Sequence, residues 1–275
     1  ANTGMAYLRS PDVHNIDLDP MSMFHFARFP EATPHAKFFV IYRNQPTLDF
    51  LQRHVDWVVR QHDLAALRLV SQADRLSFYP GGLRVETPEG SLEARHVILA
   101  IGPNAPSWPD WSLKLREQNA PVQHIFDLDF VREALPTWTH AIVVGGGITA
   151  AQTALALARR APGTVTFLPR HPIREHSFDS DPCWFSSCLA AYGREASLER
   201  RRATIQKARH RGSIPPDILR EIQEAITRGQ LRLHTAAVTS ASSTSEGQIL
   251  LTCTEGSILQ TDRLLLATGF CSNRP

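Results

Sequence analysis

One stretch constrains this chain more than any other: Ala141 to Leu168, which reads AIVV, GGGITA, AAQTALALARR, APG and TVTFL. An apolar run ends at three successive glycines, a run of helix formers follows, and a second apolar run closes the segment. The order strand, glycine turn, helix, strand is a βαβ unit, and such units build parallel sheets in α/β folds. The uncharged part, Ala141 to Ala158, invites comparison with a membrane span. Its three glycines, two threonines and one glutamine fit a broken strand and helix better than a single helix of about 20 residues.

The turn itself, Gly145-Gly146-Gly147-Ile148-Thr149-Ala150, has the form G-x-G-x-x-A. Placed after a strand and at the start of a helix, that pattern suits a dinucleotide. Gly145 permits the tight turn, Gly147 lets the backbone approach a diphosphate, and Ala150 keeps the helix close to the strand. The helix N-terminus adds free N–H groups and a partial positive charge. The plainer account is a glycine turn that only links strand to helix. An NAD site places an acid about 20 residues along, on the ribose hydroxyl. Val165 to His171 contains no carboxylate. Arg170 there suits the 2′-phosphate of NADPH through charge-assisted bonds, so NADPH is expected over NADH. His171 is a weaker candidate, against the plain reading of a solvated loop histidine.

The rest of the chain is read around this unit. TLDFLQRHVDWVVRQH (47–62) predicts a helix with Leu48, Leu51, Val55, Val58 and Val59 on one face and Thr47 as its cap. Residues 66–101 read as short strands divided by PGG (80–82) and PEGS (88–91). The last of these, HVILAIG (96–102), has the near-continuous apolar run of a strand buried on both faces. Pro103, Pro106 and Pro109 prevent its continuing as a helix. REASLERRRATIQKARHR (194–211) predicts a basic helix, and PPDILREIQEAITR (215–228) another, with Ile218, Ile222, Ala225 and Ile226 as its stripe. LRLHT, QILLTCT and DRLLLATG read as strands, SASSTSEG (240–247) as a polar loop, and residues 1–46, with Pro11, Pro20, Pro30, Pro34 and Pro46, as irregular. One echo links the two halves: EGSLEARHVILAIG (89–102) and EGSILQTDRLLLATG (255–269) match in order, each a turn, a short polar strand and an apolar strand ending in glycine.

Composition removes several function classes. With 275 residues, the chain makes one large or two modest domains. Twenty-nine basic residues against 27 acidic leave a net charge of +2, too little for a general polyanion binder. The basic cluster Arg200, Arg201, Arg202, Lys207, Arg209 and Arg211 therefore reads as a solvated helix face rather than a nucleic-acid or membrane surface. Four cysteines without paired zinc-like spacing exclude a disulfide scaffold, and with no H-x-x-x-H pair no metal is expected. Asp179 and Asp181 read as turn residues, Cys253 and Cys271 as strand residues, and neither Ser107 nor Ser213 lies in a G-x-S-x-G elbow. Residues 1–10 lack the apolar core of a signal peptide, which with the cysteine usage gives a cytoplasmic expectation. A small-molecule substrate is expected, with no nucleic acid and no membrane; oligomeric state is not legible.

HVILAIGPNAPSWP (96–109), IVVGGGITAAQTALAL (142–157), RHPIREHSFDSDPCW (170–184), ARHRGSIPPD (208–217) and DRLLLATGF (262–270) together resemble the two-dinucleotide-binding flavoproteins, above all the flavin-dependent N-hydroxylating monooxygenases and their relatives. The resemblance spans nearly the whole chain, although only the GGGITA and ATG elements are specific. It implies a Rossmann-like NADP-binding βαβ domain inserted in an incomplete FAD-binding domain with a β-meander. The implied boundaries are 1–120 (partial FAD domain), 121–235 (NADP domain) and 236–275 (return strands of the FAD domain). Gly102 and Gly269 are then expected near FAD or at the domain crossing. Two departures qualify it: residues 1–60 hold only Gly4 and so no second G-x-G-x-x-G, and only Phe270 to Pro275 follow the ATG element. The expectation is the middle of an NADPH- and FAD-dependent oxidoreductase, with FAD held weakly or not at all by this chain alone. The chemistry is carried by the cofactors, and no catalytic side chain is named. The alternative is a dinucleotide-binding module without turnover. In flavin disulfide reductases a reactive cysteine pair sits near the chain start, so Cys183 and Cys188 are expected to be two small, separate residues.

Overall fold

A buried strand must find hydrogen-bond partners along both edges, and the sheet pairings show which of the predicted strands do. The computed structural model describes residues 7–10, 15–29, 39–40, 45–102, 105–185 and 187–271. In chain order the first elements are α1 (Ser22–Phe26), β1 (Phe39–Val40), β2 (Gln45–Pro46), α2 (Leu48–Gln61), β3 (Arg75–Tyr79), β4 (Gly82–Thr87) and β5 (Gly90–Ala94). Next come α3 (Asp110–Glu117), β6 (Val122–His124), β7 (Ala141–Val144), α4 (Ile148–Arg160), β8 (Val165–Leu168) and β9 (Arg174–Glu175). The last are α5 (Ser187–Arg194), α6 (Leu198–Ala208), β10 (Ser213–Ile214), α7 (Pro216–Thr227), β11 (Leu231–Leu233), β12 (Val238–Ser243), β13 (Ile249–Cys253), β14 (Ile258–Thr261) and β15 (Arg263–Leu266). The chain divides into two units: residues 1–14, 37–48 and 104–275 form one, residues 15–36 and 49–103 the other.

In the larger unit, five parallel strands run in the order β11-β8-β7-β15-β6. The α/β class expected from the sequence is observed, and the βαβ unit is β7-α4-β8. Strand alternation sorts the sheet residues between two layers. Val143, Val165, Phe167 and Leu265 face a helical layer that includes Ala150, Ala151 and Ala154 of α4 and Ile218, Ile222 and Ala225 of α7. The small side chains of α4 allow close helix–sheet packing. Ile142, Leu168, Leu264 and Leu266 face the other way, onto Leu115 of α3 and Ile249, Leu251 and Cys253 of the antiparallel meander β12-β13-β14. The stretch 240–247, expected as a loop, contributes Ser240 to Ser243 to β12. Those residues are mostly exposed at the edge of the meander, where the backbone pairs with β13 and the side chains need no apolar cover.

The smaller unit holds an aromatic core. Phe26 of α1 lies 5.6 Å from the Phe50 ring and 5.5 Å from that of Trp57. The buried stripe of α2 is Phe50, His54 and Val58. Leu51, Val55 and Val59, expected on that face, are only half-buried. The Nε2 of the buried His54 lies 2.8 Å from the Ser22 hydroxyl, its Nδ1 has no hydrogen-bond partner among the described residues, and burial pushes its pKa down.

HVILAIG (96–102) departs from the expected buried strand. Residues 96–101 form no strand, and Ile98 is 91% exposed, Leu99 65% and Ile101 61%. Its echo partner β15 lies between β7 and β6, with Leu264, Leu265 and Leu266 fully buried. Composition is the same; pairing decides. Among the described residues no strand pairs with 96–101. The preceding meander repeats the contrast. Phe78 of β3 is 90% exposed, while Ile249, Leu251 and Cys253 of β13 are buried. Much of the irregular reading of residues 1–46, and Pro103, lie outside the described residues. Among those described, no helix is long and apolar enough to cross a membrane.

Candidate functional site

The connection from β7 goes through α4 to β8 on one side, while β15 and β6 lie on the other. The carboxyl ends of β7 and β15 therefore mark a topological switch point, where open α/β sheets bind ligands. The glycine turn sits there. The Gly145 N–H donates to the Leu168 carbonyl (3.1 Å), and the Ala267 N–H, just past β15, donates to the Val144 carbonyl (2.8 Å). Gly145 has φ +149°, and a Cβ on it would lie 2.6 Å from the Ala267 carbonyl oxygen and 2.9 Å from the Ala150 Cβ. No side chain fits at that position, and Ala150 itself is fully buried.

Gly147 differs. It is the N-cap of α4 with φ −103°, and a Cβ there would meet only the Gly212 Cα, at 3.7 Å. Ile148 and Thr149 begin the helix, whose first turn holds no acid and whose end has no side-chain cap. The N–H groups of that turn are thus left for a ligand or water. Nothing in the local packing among the described residues requires glycine at 147.

Arg170 and His171 follow β8. Arg170 is exposed, with no hydrogen-bond or ion-pair partner among the described residues. The His171 ring lies against the turn: a Cβ on Gly146 would be 3.2 Å from its Cε1 and 3.3 Å from its Nε2. The Gly212 position, at φ +66°, is 3.2 Å from the same Nε2. Gly212, which no local pattern marks, precedes β10, and the pairing of β10 with β9 accompanies its approach to the turn. Arg9 clamps that pair from below. Its buried guanidinium donates to the carbonyls of His176 (2.5 Å) and Ser213 (3.2 Å), and to the Ser213 hydroxyl and the Asp179 carboxylate (2.8 Å each). Burial lowers the Arg9 pKa, and Asp179 opposes that shift. Gly269 (φ +83°) is two residues past Ala267, and its carbonyl accepts from the Ser107 N–H at 2.9 Å. Gly102 (φ +72°) is exposed and belongs to the smaller unit.

A profile of the pyridine nucleotide-disulphide oxidoreductase family matches residues 58–275. The chain belongs to that family. No curated protein sequence matches it. Among solved structures, this family member is similar to the FAD-bound cadaverine monooxygenase of desferrioxamine biosynthesis from Erwinia amylovora, at 18% identity over 100% of this chain and 70% of that one, TM-score 0.69. It is also similar to the ornithine N-hydroxylase of Kutzneria sp. 744 with reduced FAD, NADP+ and L-ornithine (18%, 98% of this chain and 72% of that one, TM-score 0.65). A third likeness is to L-lysine 6-monooxygenase from Pseudomonas syringae (20%, 83% and 59%, TM-score 0.60). At such identities the likeness is one of fold, and it agrees with the resemblance drawn from the sequence. The chain spans 59% of the lysine enzyme's length and 70% of the cadaverine enzyme's.

Other constellations in this oxidoreductase-family chain resolve differently. Cys183 and Cys188 form a disulfide, against expectation. A 3₁₀ turn over Pro182–Phe185 followed by α5 brings their Cα atoms to 5.1 Å, within bridging range. Cys253 lies in β13 as expected, but Cys271 is exposed and outside any strand. Asp179 pairs with Arg9, and Asp181 accepts the Cys183 N–H at 2.8 Å, so both serve the turn. Donor atoms of His234, Cys253 and Glu255 lie within 4.8 Å of one another. His234 Nε2 is already held by Glu255 (3.1 Å) and the Ser257 hydroxyl (3.3 Å). The predicted basic helix is α6, capped by Ser197. A surface concavity of about 390 Å³ is lined by Arg132, Glu133, Ala156, Leu157, Arg159 and Arg160, at the opposite end of α4 from the glycine turn.

Proposed function

We propose that the Gly145–Ala150 turn binds the diphosphate of NADPH, and that the parent protein is an NADPH- and FAD-dependent oxidoreductase of the monooxygenase type acting on a small molecule. The observation that carries this reading is the contrast between the two outer glycines: Gly145 is filled by its own fold, whereas Gly147 leaves open space in front of an uncapped helix N-terminus. Membership of the family and the fold shared with NADP- and FAD-bound structures support it. When bound, NADPH supplies hydride and FAD accepts it. The chain's own part is to grip the diphosphate with backbone N–H groups, to neutralise the 2′-phosphate with Arg170, and to orient the nicotinamide end past Gly269.

FAD retention is a separate matter. The exposed, unpaired segment 96–101 beside Gly102 supports the reading that this chain supplies only part of a flavin cradle. Purified protein is therefore expected to lack stoichiometric flavin absorbance, and a full complement would contradict that.

Calorimetry tests the choice of dinucleotide. NADPH is expected to bind more tightly than NADH. Arg170→Ala should weaken NADPH by about 10- to 100-fold, the worth of charge-assisted bonds of about 1.5–3 kcal/mol, and leave NADH unchanged. Equal losses for both dinucleotides, or no loss, would remove Arg170 from the 2′-phosphate. Tight NADPH binding without flavin reduction in the full-length protein would favour the binding-module reading.

A further inference from the structure

We propose that His171 bonds the diphosphate bridge through Nε2 and takes up a proton as the dinucleotide binds. This rests on the NADPH reading above and adds a proton-linked contact to it.

His171 Nδ1 lies 2.9 Å from the Pro172 carbonyl oxygen. A carbonyl only accepts, so Nδ1 carries the hydrogen. In a neutral imidazole the other nitrogen is then a bare acceptor. That nitrogen, Nε2, has no hydrogen-bond partner among the described residues, and it sits at the Gly146–Gly212 edge of the turn, 3.2–3.3 Å from where each glycine's Cβ would be. Gly212 in turn abuts Gly147, the glycine whose front is open. A phosphodiester oxygen is also only an acceptor. Two acceptors repel, and the contact becomes favourable only with a hydrogen on Nε2; keeping the Nδ1 bond to the Pro172 carbonyl as well requires imidazolium.

The surrounding charges set the direction. Residues 145–150 contain no ionisable side chain, and the helix end there is positive. The segment around Gly212 carries Arg209, His210 and Arg211, and the segment of His171 carries Arg170, Arg174 and His176 with the acids Glu175 and Asp179, the latter paired with Arg9. An anion brought to Nε2 favours the imidazolium form.

The test is calorimetry with NADP+ and NAD+, in buffers of different ionisation heats and at pH 6 and pH 8. The bridge does not titrate near neutrality, whereas the 2′-phosphate does, so NAD+ isolates the contact. Net proton uptake is expected with NAD+, with its affinity rising roughly three- to tenfold from pH 8 to pH 6. His171→Gln should bind without uptake and without that pH slope, at an unchanged Tm. Uptake with NADP+ alone, or equal uptake in His171→Gln, would overturn the proposal while leaving the dinucleotide site standing. Failure of both ligands to bind at any pH would overturn the site and the proposal together.

Discussion

Gly147→Val is expected to abolish dinucleotide binding, by at least about 100-fold or roughly 2.7 kcal/mol, with the fold left intact. The residue sits at φ −103° and ψ 177°, which valine adopts readily, and its Cβ would meet only the Gly212 Cα at 3.7 Å. The branched side chain would instead project into the space in front of the α4 N-terminus, where the diphosphate must approach. Titration with NADPH and a melting curve on the same sample separate the two effects. An unchanged Tm with lost binding is the predicted result. Retained binding would place the ligand elsewhere, and a large fall in Tm would mean that glycine is required at 147 by the fold.

Gly145→Ala is expected to fail in the opposite way. Its Cβ would be driven to 2.6 Å from the Ala267 carbonyl oxygen, on a backbone with φ +149°. Backbone strain of this kind costs about 1–3 kcal/mol, and overpacking a tight contact about 1–3 kcal/mol more. The contact joins β7 to β15 at the centre of the sheet, so the cost falls on global stability. A fall in Tm of roughly 5–15 °C is predicted. A variant melting within about 2 °C of wild type would show that the turn relaxes more easily than its geometry implies.

Two glycines two residues apart thus fail for different reasons, and the sequence alone made that division partly visible. The G-x-G-x-x-A pattern between two apolar strands was sufficient to place β7, α4 and β8, because period and punctuation agree over the whole segment. The close approach of Ala150 to Gly145 followed from the same pattern. Ala267 and Gly212 were not placed at the turn by the pattern, because each reaches it through a pairing between distant segments: β15 with β7, and β9 with β10. Local periodicity carries no record of such neighbours.

The same limit explains HVILAIG. Its apolar run and that of RLLL in β15 are nearly interchangeable as sequences, yet one is bare and the other is sealed between two strands. Apolarity states what a strand prefers to bury, and the partner decides whether it does. In α2 the buried stripe includes His54, which apolar periodicity does not mark and whose Nε2 meets the Ser22 hydroxyl. Cys183 and Cys188, read as separate residues from their place in the chain, form a bridge because a 3₁₀ turn folds the chain back on itself.

The central claim is that the backbone of residues 145–150 grips a diphosphate. Crystals of this chain grown with NADP+ test it most directly. The account predicts phosphate density within hydrogen-bonding reach of the N–H groups of Gly147, Ile148 and Thr149, with the adenosine end toward Arg170. Well-ordered NADP+ at any other surface, with the turn free and unchanged, would contradict it.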